Sequence, residues 1–260
     1  MAGSIQIRFA PLIRQRIGSP PELARQRLLR SGALRAGINL SNSLLVSQRA
    51  AEGEPVGVAP DLAAALAKCL DAPLTYVTYE SPGKLAAAAD SDEWDIGLLG
   101  AEPQRAAVIE FTPAYAEIEA TYLVSSSSTL QDIEDVDRHG VQIAVAGRTA
   151  YGLWLERNIR AAQLVVSTSF AEAYQDFVAR RLDAVAGLKT KLLEEADKVH
   201  GFRILPGRFM AVQQAIGAPK GSGTVHDYLS RFVIAAVNVG LIDELISHYG
   251  VAPGLSPAKA

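Results

Sequence analysis

Apolar runs of five or six residues alternate with helical patterns along this chain, and this alternation occurs twice. The strand patterns of the first half lie at 34–39, 74–79 and 95–99. Those of the second half lie at 141–146, 164–168 and 182–187. Strands that alternate with helices indicate βαβ units and parallel sheets. The sequence therefore predicts an α/β protein with two mostly parallel sheets flanked by helices.

Two extended runs, near 117–124 and 209–216, join the two halves of the pattern. Two chain crossings between two lobes form a hinge, and a cleft between hinged lobes is a natural small-molecule site. We therefore expect an N-terminal tail at 1–30, a first lobe at 31–117 plus 214–260, and a second lobe at 118–213. The tail is expected because the first 36 residues carry seven arginines against one acid, Glu22.

The composition excludes several classes of function. A net charge of −3 provides no basic field for nucleic acid. One cysteine and four scattered histidines give no zinc-ligand spacing, so no metal or cofactor is expected. No run approaches the ~20 apolar residues of a membrane-spanning helix, so no membrane insertion is expected. The apolar piece at 9–13 is too short for a secretory signal, which as written predicts a cytoplasmic protein.

The stretch from Trp94 to Arg105 is the strongest candidate for a binding site in the first half. An apolar strand ends at the small residues Gly100 and Ala101, and Glu102 and Arg105 follow. Ligands of parallel sheets bind beyond the carboxyl ends of strands, and a guanidinium holds a carboxylate through two hydrogen bonds. Arg105 on the surface of a short helix is an equally good interpretation of the spacing.

Further candidates follow the other strand patterns. Asn39 and Asn42 end the first strand, although both residue types also favour ordinary turns. In the second half, the turn Gly147-Arg148-Thr149-Ala150 leads into a helix, whose first amides suit an anion. Lys189 follows the strand at 182–187, and Glu119 lies in the first crossing run. The alternatives are an ordinary helix start, a solvated lysine, and capping or hinge salt bridges for Glu102 and Glu119.

The sequence contains no nucleophile elbow, P-loop or dinucleotide-binding glycine fingerprint, so no catalytic residue is assigned. Four segments instead resemble one known family, the polar amino-acid-type solute-binding proteins of ABC transporters (family 3). These segments are Gly57–Ala63, Trp94–Ile96, Pro103–Arg105 and Phe111–Tyr115. The resemblance spans roughly 32–250.

The resemblance implies a two-lobed periplasmic-binding-protein type 2 fold with two hinge crossings. It implies that Arg105 clamps a ligand carboxylate, that Thr149 and the adjoining amides are its partners in the second lobe, and that Asn39 and Asn42 line the pocket. It further implies a periplasmic location, an ABC permease as partner and a monomer.

One departure concerns the ligand. Amino-acid binders of this family commonly have an acid after the Asp-Ala strand of the second lobe, and it holds the α-ammonium. Here Leu188 and Lys189 follow instead, so that Glu102 or Glu119 would have to take this role. We expect a binding protein that closes on a small carboxylate-bearing, amino-acid-like ligand for ABC-type transport. The alternatives are a cyclohexadienyl (prephenate or arogenate) dehydratase-like enzyme on the same fold, with a glutamate as general acid, and a cytoplasmic ligand sensor.

Overall fold

The chain folds into two compact units in a computed structural model that describes residues 3–49, 53–198, 200–221, 223–252 and 254–258. Unit 1 takes the described residues up to Glu117 and those from Gln213 onward. Unit 2 takes Ile118–Val212.

Helices and strands alternate through most of both units. The helices are α1 Gly3–Ile17, α2 Glu22–Leu28, α3 Val58–Leu70, α4 Pro82–Ala87, α5 Ala150–Asn158, α6 Phe170–Ala179, α7 Lys189–Lys198, α8 Gly223–Asn238 and α9 Leu241–His248. The strands are β1 Leu34–Asn39, β2 Gln48–Arg49, β3 Pro55–Val56, β4 Leu74–Tyr79, β5 Ile96–Gly100, β6 Ile109–Phe111, β7 Ala116–Ser125, β8 Gln142–Ala146, β9 Gln163–Ser167, β10 Ala184–Leu188, β11 Phe202–Ile204, β12 Met210–Pro219 and β13 Ser256–Pro257. Single 3₁₀ turns lie at Arg105–Ala107 and Ile133–Asp135.

The sheet of unit 1 has the parallel order β4-β1-β5, and β12 then pairs antiparallel with β5. The chain crosses from β1 to β4 on one side and then returns to β5 on the other side of β1. A crevice opens outside the carboxyl ends of the strands where the strand order reverses in this way. In unit 1 this switch point lies between β1 and β5.

Unit 2 repeats this arrangement. Its parallel order is β9-β8-β10, and β7 pairs antiparallel with β10. The switch point of unit 2 therefore lies between the carboxyl ends of β8 and β10. The core between sheet and helices contains buried Phe177, Val185 and Leu192, with Phe202 packed against them.

An aspartate fixes the start of the third strand against the first strand in each unit. In unit 1, the backbone amide of Arg35 donates to Asp95 Oδ2 at 2.9 Å, and the Asp95 amide donates to the Arg35 carbonyl at 2.9 Å. In unit 2, the Gln142 amide donates to Asp183 Oδ2 at 2.7 Å, and the Asp183 amide donates to the Gln142 carbonyl at 3.1 Å. The same pair of bonds thus sets the strand register of both sheets.

Unit 1 adds an ion pair at this point. Arg35 Nη2 lies 2.7 Å from Asp95 Oδ1, and the Asp95 side chain is 0% exposed. The hydrogen bond to Asp95 raises the pKa of Arg35, so the guanidinium stays charged. Trp94, which precedes Asp95, is buried and packs against Leu85 and Leu99.

The N-terminal segment is not the solvated tail that its arginine content suggested. Ile5, Phe9, Ile13 and Ile17 recur every four residues, and all four are buried on one face of α1. Helix α1 packs against α3, α8 and α9, and α2 packs against α8. The tail expectation was wrong because the helical apolar period outweighs the charge of the intervening arginines.

A buried carboxyl lies beside α1. Asp61, in the first turn of α3, is 7% exposed and accepts a hydrogen bond of 2.6 Å from the Tyr249 hydroxyl. Gln6 of α1 also hydrogen-bonds Asp61. Burial raises the pKa of Asp61, and the bond from Tyr249 only partly opposes this rise.

We expect Asp95→Ala to destabilise the protein by about 3–5 kcal/mol, because it leaves the guanidinium of Arg35 without its buried partner. Asp92 also pairs with Arg35 but is 62% exposed, so Asp92→Ala serves as the control and should change the melting temperature little. Chemical denaturation of the three proteins measures the free energy of unfolding, and thermal denaturation measures the melting temperatures. Equal melting temperatures for both variants would contradict this role of Asp95.

We expect Asp61→Asn to stabilise the protein relative to the wild type, increasingly as the pH rises. A carboxyl whose pKa is raised on folding contributes stability below its unfolded pKa and loses that contribution as the pH rises through the folded pKa. Asparagine stays neutral and can still accept the bond from Tyr249. Melting temperatures between pH 4 and pH 8 test this, with exposed Asp90→Asn as control. A melting-temperature difference that stays constant with pH would show that Asp61 is not the group that titrates.

Candidate functional site

The residues that end β1 mostly build the turn that follows it. Asn39 Oδ1 accepts hydrogen bonds from the Ser41 amide at 3.1 Å and the Ser41 hydroxyl at 2.8 Å. Asn42 is buried, and its Oδ1 accepts from the Leu44 amide at 3.2 Å. Both side-chain oxygens therefore stabilise the turn, as the turn-forming interpretation predicted. The turn lies at the switch point of unit 1.

Two buried charged groups follow β5 at the same switch point. Glu102 is 4% exposed and Arg105 is 5% exposed. Arg105 Nη1 donates to the Gly100 carbonyl at 2.7 Å, which ties the guanidinium to the last residue of β5. Arg105 is thus a buried cation at the carboxyl edge of the sheet, and the surface-helix alternative is wrong.

The turn that follows β8 lies at the switch point of unit 2. Thr149 is the N-cap of α5, and its Oγ1 accepts from the Gly152 amide at 3.0 Å and donates to the Ala146 carbonyl at 2.8 Å. A side chain at Gly152 would place Cβ only 2.4 Å from the Ala146 carbonyl oxygen. The helix start therefore packs directly on the end of β8, with Gly147 and Ala150 flanking the turn.

The side chains of Arg148 and Tyr151 set the charge of this turn. Arg148 is exposed and has a left-handed backbone, with φ of 59°, which costs an ordinary residue about 1 kcal/mol. Burial raises the pKa of Tyr151 to about 12, so its phenol stays neutral at physiological pH. The exposed arginine and the helix N-terminus thus both favour an anion here.

Lys189, the first residue of α7, is a further cation of unit 2. Its Nζ lies 2.8 Å from Glu119 Oε2 in β7. Arg208 Nη1 lies 3.5 Å from the other oxygen of Glu119. The predicted salt-bridge alternative for Glu119 is what the structure shows, with two cations on one carboxylate.

The sequence interpretation missed Arg208 and an aromatic group beside it. The Phe209 ring lies between Tyr122, at 4.7 Å between centroids, and Trp154, at 5.4 Å. The Phe209 amide donates to the Ala120 carbonyl, which brings Arg208 next to Glu119. Only the pairing of the two crossing runs, which sequence periodicity does not reveal, could have indicated this contact.

The predicted site residues therefore form two groups, one at the switch point of each unit. The group of unit 1 contains Asn39, Asn42, Gly100, Glu102 and Arg105. The group of unit 2 contains Glu119, Gly147, Arg148, Thr149, Ala150 and Lys189. Their roles in binding remain predictions.

The described residues contain no cluster of three or more histidine, cysteine or acidic side chains placed to hold a metal ion. Among the helices of the same residues, none has the length and apolar character needed to cross a membrane.

The model of one protein family, the bacterial extracellular solute-binding proteins, family 3, matches residues 34–252. The chain belongs to this family. The match includes both switch points and excludes α1 and α2. No curated protein sequence matches this solute-binding protein.

Solved structures share the fold of this solute-binding protein. A mutant of ArgBP from T. maritima has a TM-score of 0.69 at 19% identity, over 87% of this chain and 99% of that one. The ancestral amino acid-binding protein AncCDT-1, a precursor of cyclohexadienyl dehydratase, has a TM-score of 0.70 at 20% identity, over 86% and 98%.

An amino acid ABC transporter substrate-binding protein from Streptococcus pneumoniae, bound to L-arginine, has a TM-score of 0.69 at 19% identity, over 90% of this chain and 99% of that one. These likenesses confirm the predicted type 2 periplasmic-binding-protein fold.

We expect Thr149→Ala to destabilise this solute-binding protein by about 1 kcal/mol, because the Gly152 amide loses its capping oxygen. Thr149→Ser keeps the hydroxyl and should retain most of that stability. Urea unfolding of the two variants measures the difference. Equal losses for alanine and serine would mean that the methyl group of Thr149, and not its hydroxyl, holds the turn.

Proposed function

We propose that this solute-binding protein binds a small, carboxylate-bearing solute of amino-acid size and presents it to an ABC-type permease. Family membership supports the binding of a solute. The L-arginine bound by the Streptococcus pneumoniae protein supports a ligand of amino-acid size. The description of that protein as part of an amino acid ABC transporter supports the permease as partner.

The burial and position of Arg105 are the observation that supports a carboxylate in the ligand. The guanidinium of Arg105 is 5% exposed and lies just beyond the carboxyl end of β5, where parallel sheets bind their ligands. Arginine presents its donors as a planar fork, and the bond to Gly100 fixes part of that fork in place. Such a preorganised guanidinium favours a carboxylate over a neutral group, because charge-assisted hydrogen bonds contribute roughly 1.5–3 kcal/mol.

Unit 2 supports an acidic ligand independently. The helix N-terminus at Thr149 and the exposed Arg148 both favour negative charge. Of the two acids in the proposed site, Glu119 is already paired with Lys189.

We further propose that the protein binds its ligand without transforming it, and that it acts as a monomer. A general acid needs a proton to donate and a free approach to the reacting atom. Glu119 offers no free approach, because Lys189 lies 2.8 Å from one of its oxygens and Arg208 lies 3.5 Å from the other. All residues proposed for binding come from one chain, so a second copy is not required.

We expect a carboxylate ligand in hundredfold excess over its Kd to stabilise the protein by ~2.7 kcal/mol. Arg105→Ala should abolish this stabilisation, and Arg105→Lys, which keeps the charge without the fork, should weaken binding at least tenfold. Arg180→Ala, which removes a half-exposed arginine of unit 2, is the control and should bind like the wild type. Thermal shifts with amino acids, dicarboxylates and aromatic acids measure the effect.

The same panel tests the alternatives. If no carboxylate raises the melting temperature of the wild type, the proposed function fails. If Arg105→Lys, confirmed as folded by circular dichroism, binds as tightly as the wild type, Arg105 is not the clamp. Prephenate should be recovered unchanged, and the formation of phenylpyruvate would show that the protein is an enzyme.

A further inference from the structure

The buried side chains of β12 include one that is polar, Gln214. The residue is 3% exposed, and the other buried residues of the strand are apolar or glycine. A carboxamide has two N–H donors and an acceptor oxygen, and burying it without a partner costs free energy. The carboxamide of Gln214 has no hydrogen-bond partner among the residues that the structure describes.

Other polar side chains that are buried to a similar degree do have partners. The Ser167 hydroxyl donates to Asp176 at 2.9 Å, and the Thr112 hydroxyl donates to the Pro113 carbonyl at 2.8 Å. Buried polar groups are hydrogen-bonded in most native proteins, so an unpaired one needs a specific reason. A ligand that supplies the missing partner is such a reason.

The strand register places Gln214 at the carboxyl end of β5. Gln214 pairs with Gly100, the last residue of β5, and both belong to unit 1. The Cα atoms of such a pair lie about 4.5–5.5 Å apart. Side chains alternate along a strand, so Gln214 shares a face of the sheet with Gly100 and lies opposite Ala215 and Leu99. Because Gly100 has no side chain, the last residue of β5 does not cover Gln214 on that face.

Gly100 also fixes the position of Arg105, whose Nη1 donates to the Gly100 carbonyl at 2.7 Å. The guanidinium and the Gln214 carboxamide are therefore both placed by the same residue, at the edge where parallel sheets bind their ligands. In a ligand whose carboxylate is held by Arg105, the α-carbon is the next atom. Its substituents are then the groups that lie closest to this edge of the sheet.

We propose that Gln214 is a further ligand-binding residue of unit 1, and that its carboxamide accepts a hydrogen bond from an amino or hydroxyl group on the α-carbon of the ligand. The proposal rests on the proposed function, in which Arg105 holds the carboxylate. A site built to hydrogen-bond such a group rejects an analogue that lacks it, because the buried carboxamide then stays unpaired. The ligand class is therefore the α-amino or α-hydroxy carboxylates.

Calorimetric titration of the full chain tests this class with trios of acids that differ only on the α-carbon. The trios are L-arginine, argininate and δ-guanidinovalerate; L-glutamate, α-hydroxyglutarate and glutarate; and L-phenylalanine, phenyllactate and phenylpropionate. In the trio that binds most tightly, we expect the amino or the hydroxy acid to bind at least tenfold more tightly than the unsubstituted acid. The tighter of the two shows which donor the carboxamide accepts.

Gln214→Met keeps the length of the side chain and removes its hydrogen-bonding atoms. It should weaken binding of the α-substituted acid about tenfold and leave binding of the unsubstituted acid unchanged. Gln26→Met, which removes an exposed glutamine of α2 that bonds Glu22, is the matched control and should bind all three acids like the wild type. Without ligand, Gln214→Met should melt no lower than the wild type, because no internal hydrogen bond is lost.

Gln214→Glu is a second variant, which keeps the shape and the acceptor and adds a negative charge. It should shift the preference severalfold from the hydroxy acid toward the amino acid, because a carboxylate attracts the α-ammonium. An unchanged preference would mean that residue 214 does not contact the α-substituent.

The outcomes distinguish this proposal from the proposed function. If folded Gln214→Met binds all three acids of the trio like the wild type, or loses the same affinity for each, Gln214 does not recognise the α-substituent and Arg105 still holds the carboxylate. A ligand-free Gln214→Met that melts well below the wild type would reveal an internal partner and also overturn the proposal. Binding of no carboxylate at all overturns both.

Discussion

The hydrogen-bonded pair between Arg35 and Asp95 sets the geometry on which the site of unit 1 depends. It holds the amino ends of β1 and β5 level, and parallel strands keep that alignment along their length. The turns after Asn39 and Gly100 therefore emerge side by side. Because Arg105 bonds the carbonyl of Gly100, the position of its guanidinium follows from a contact at the far end of the same strands.

Unit 2 uses the same backbone device with a different charge. Asp183 replaces Asp95, and Gln142 replaces Arg35, so the bond pattern is kept without an ion pair. At its carboxyl edge, unit 2 has the N-terminus of α5 and the ion pairs of Glu119 with Lys189 and Arg208, where unit 1 has a buried glutamate and arginine. One sheet topology thus supports two different charge arrangements, and function resides in the residues that follow the strands.

Sequence patterns predicted the two sheets well because the strands and helices of each sheet follow a local apolar periodicity. The parallel strands, the order of their connections and the turns at Gly100 and Thr149 all follow from apolar runs and small or capping residues. The same periodicity was present in α1, where arginines between Ile5 and Ile17 hid a buried helical face. Composition over a window is a weaker guide than the spacing of its apolar residues.

Contacts between distant segments could not be predicted in this way. The pairing of Glu119 with Lys189 and Arg208 joins a strand, a helix start and a loop that are widely separated along the chain. The burial of Glu102 and Arg105 likewise depends on the packing of the loop after β5 and not on its sequence. Charge and residue type were visible in the sequence, but partners and burial were not.

A crystal structure with a bound carboxylate ligand would show whether Arg105 holds the carboxylate. We expect the ligand carboxylate within hydrogen-bond distance of the Arg105 guanidinium, in contact with at least one of its terminal nitrogens. A ligand bound at full occupancy with no carboxylate near Arg105 would mean that Arg105 is not the clamp.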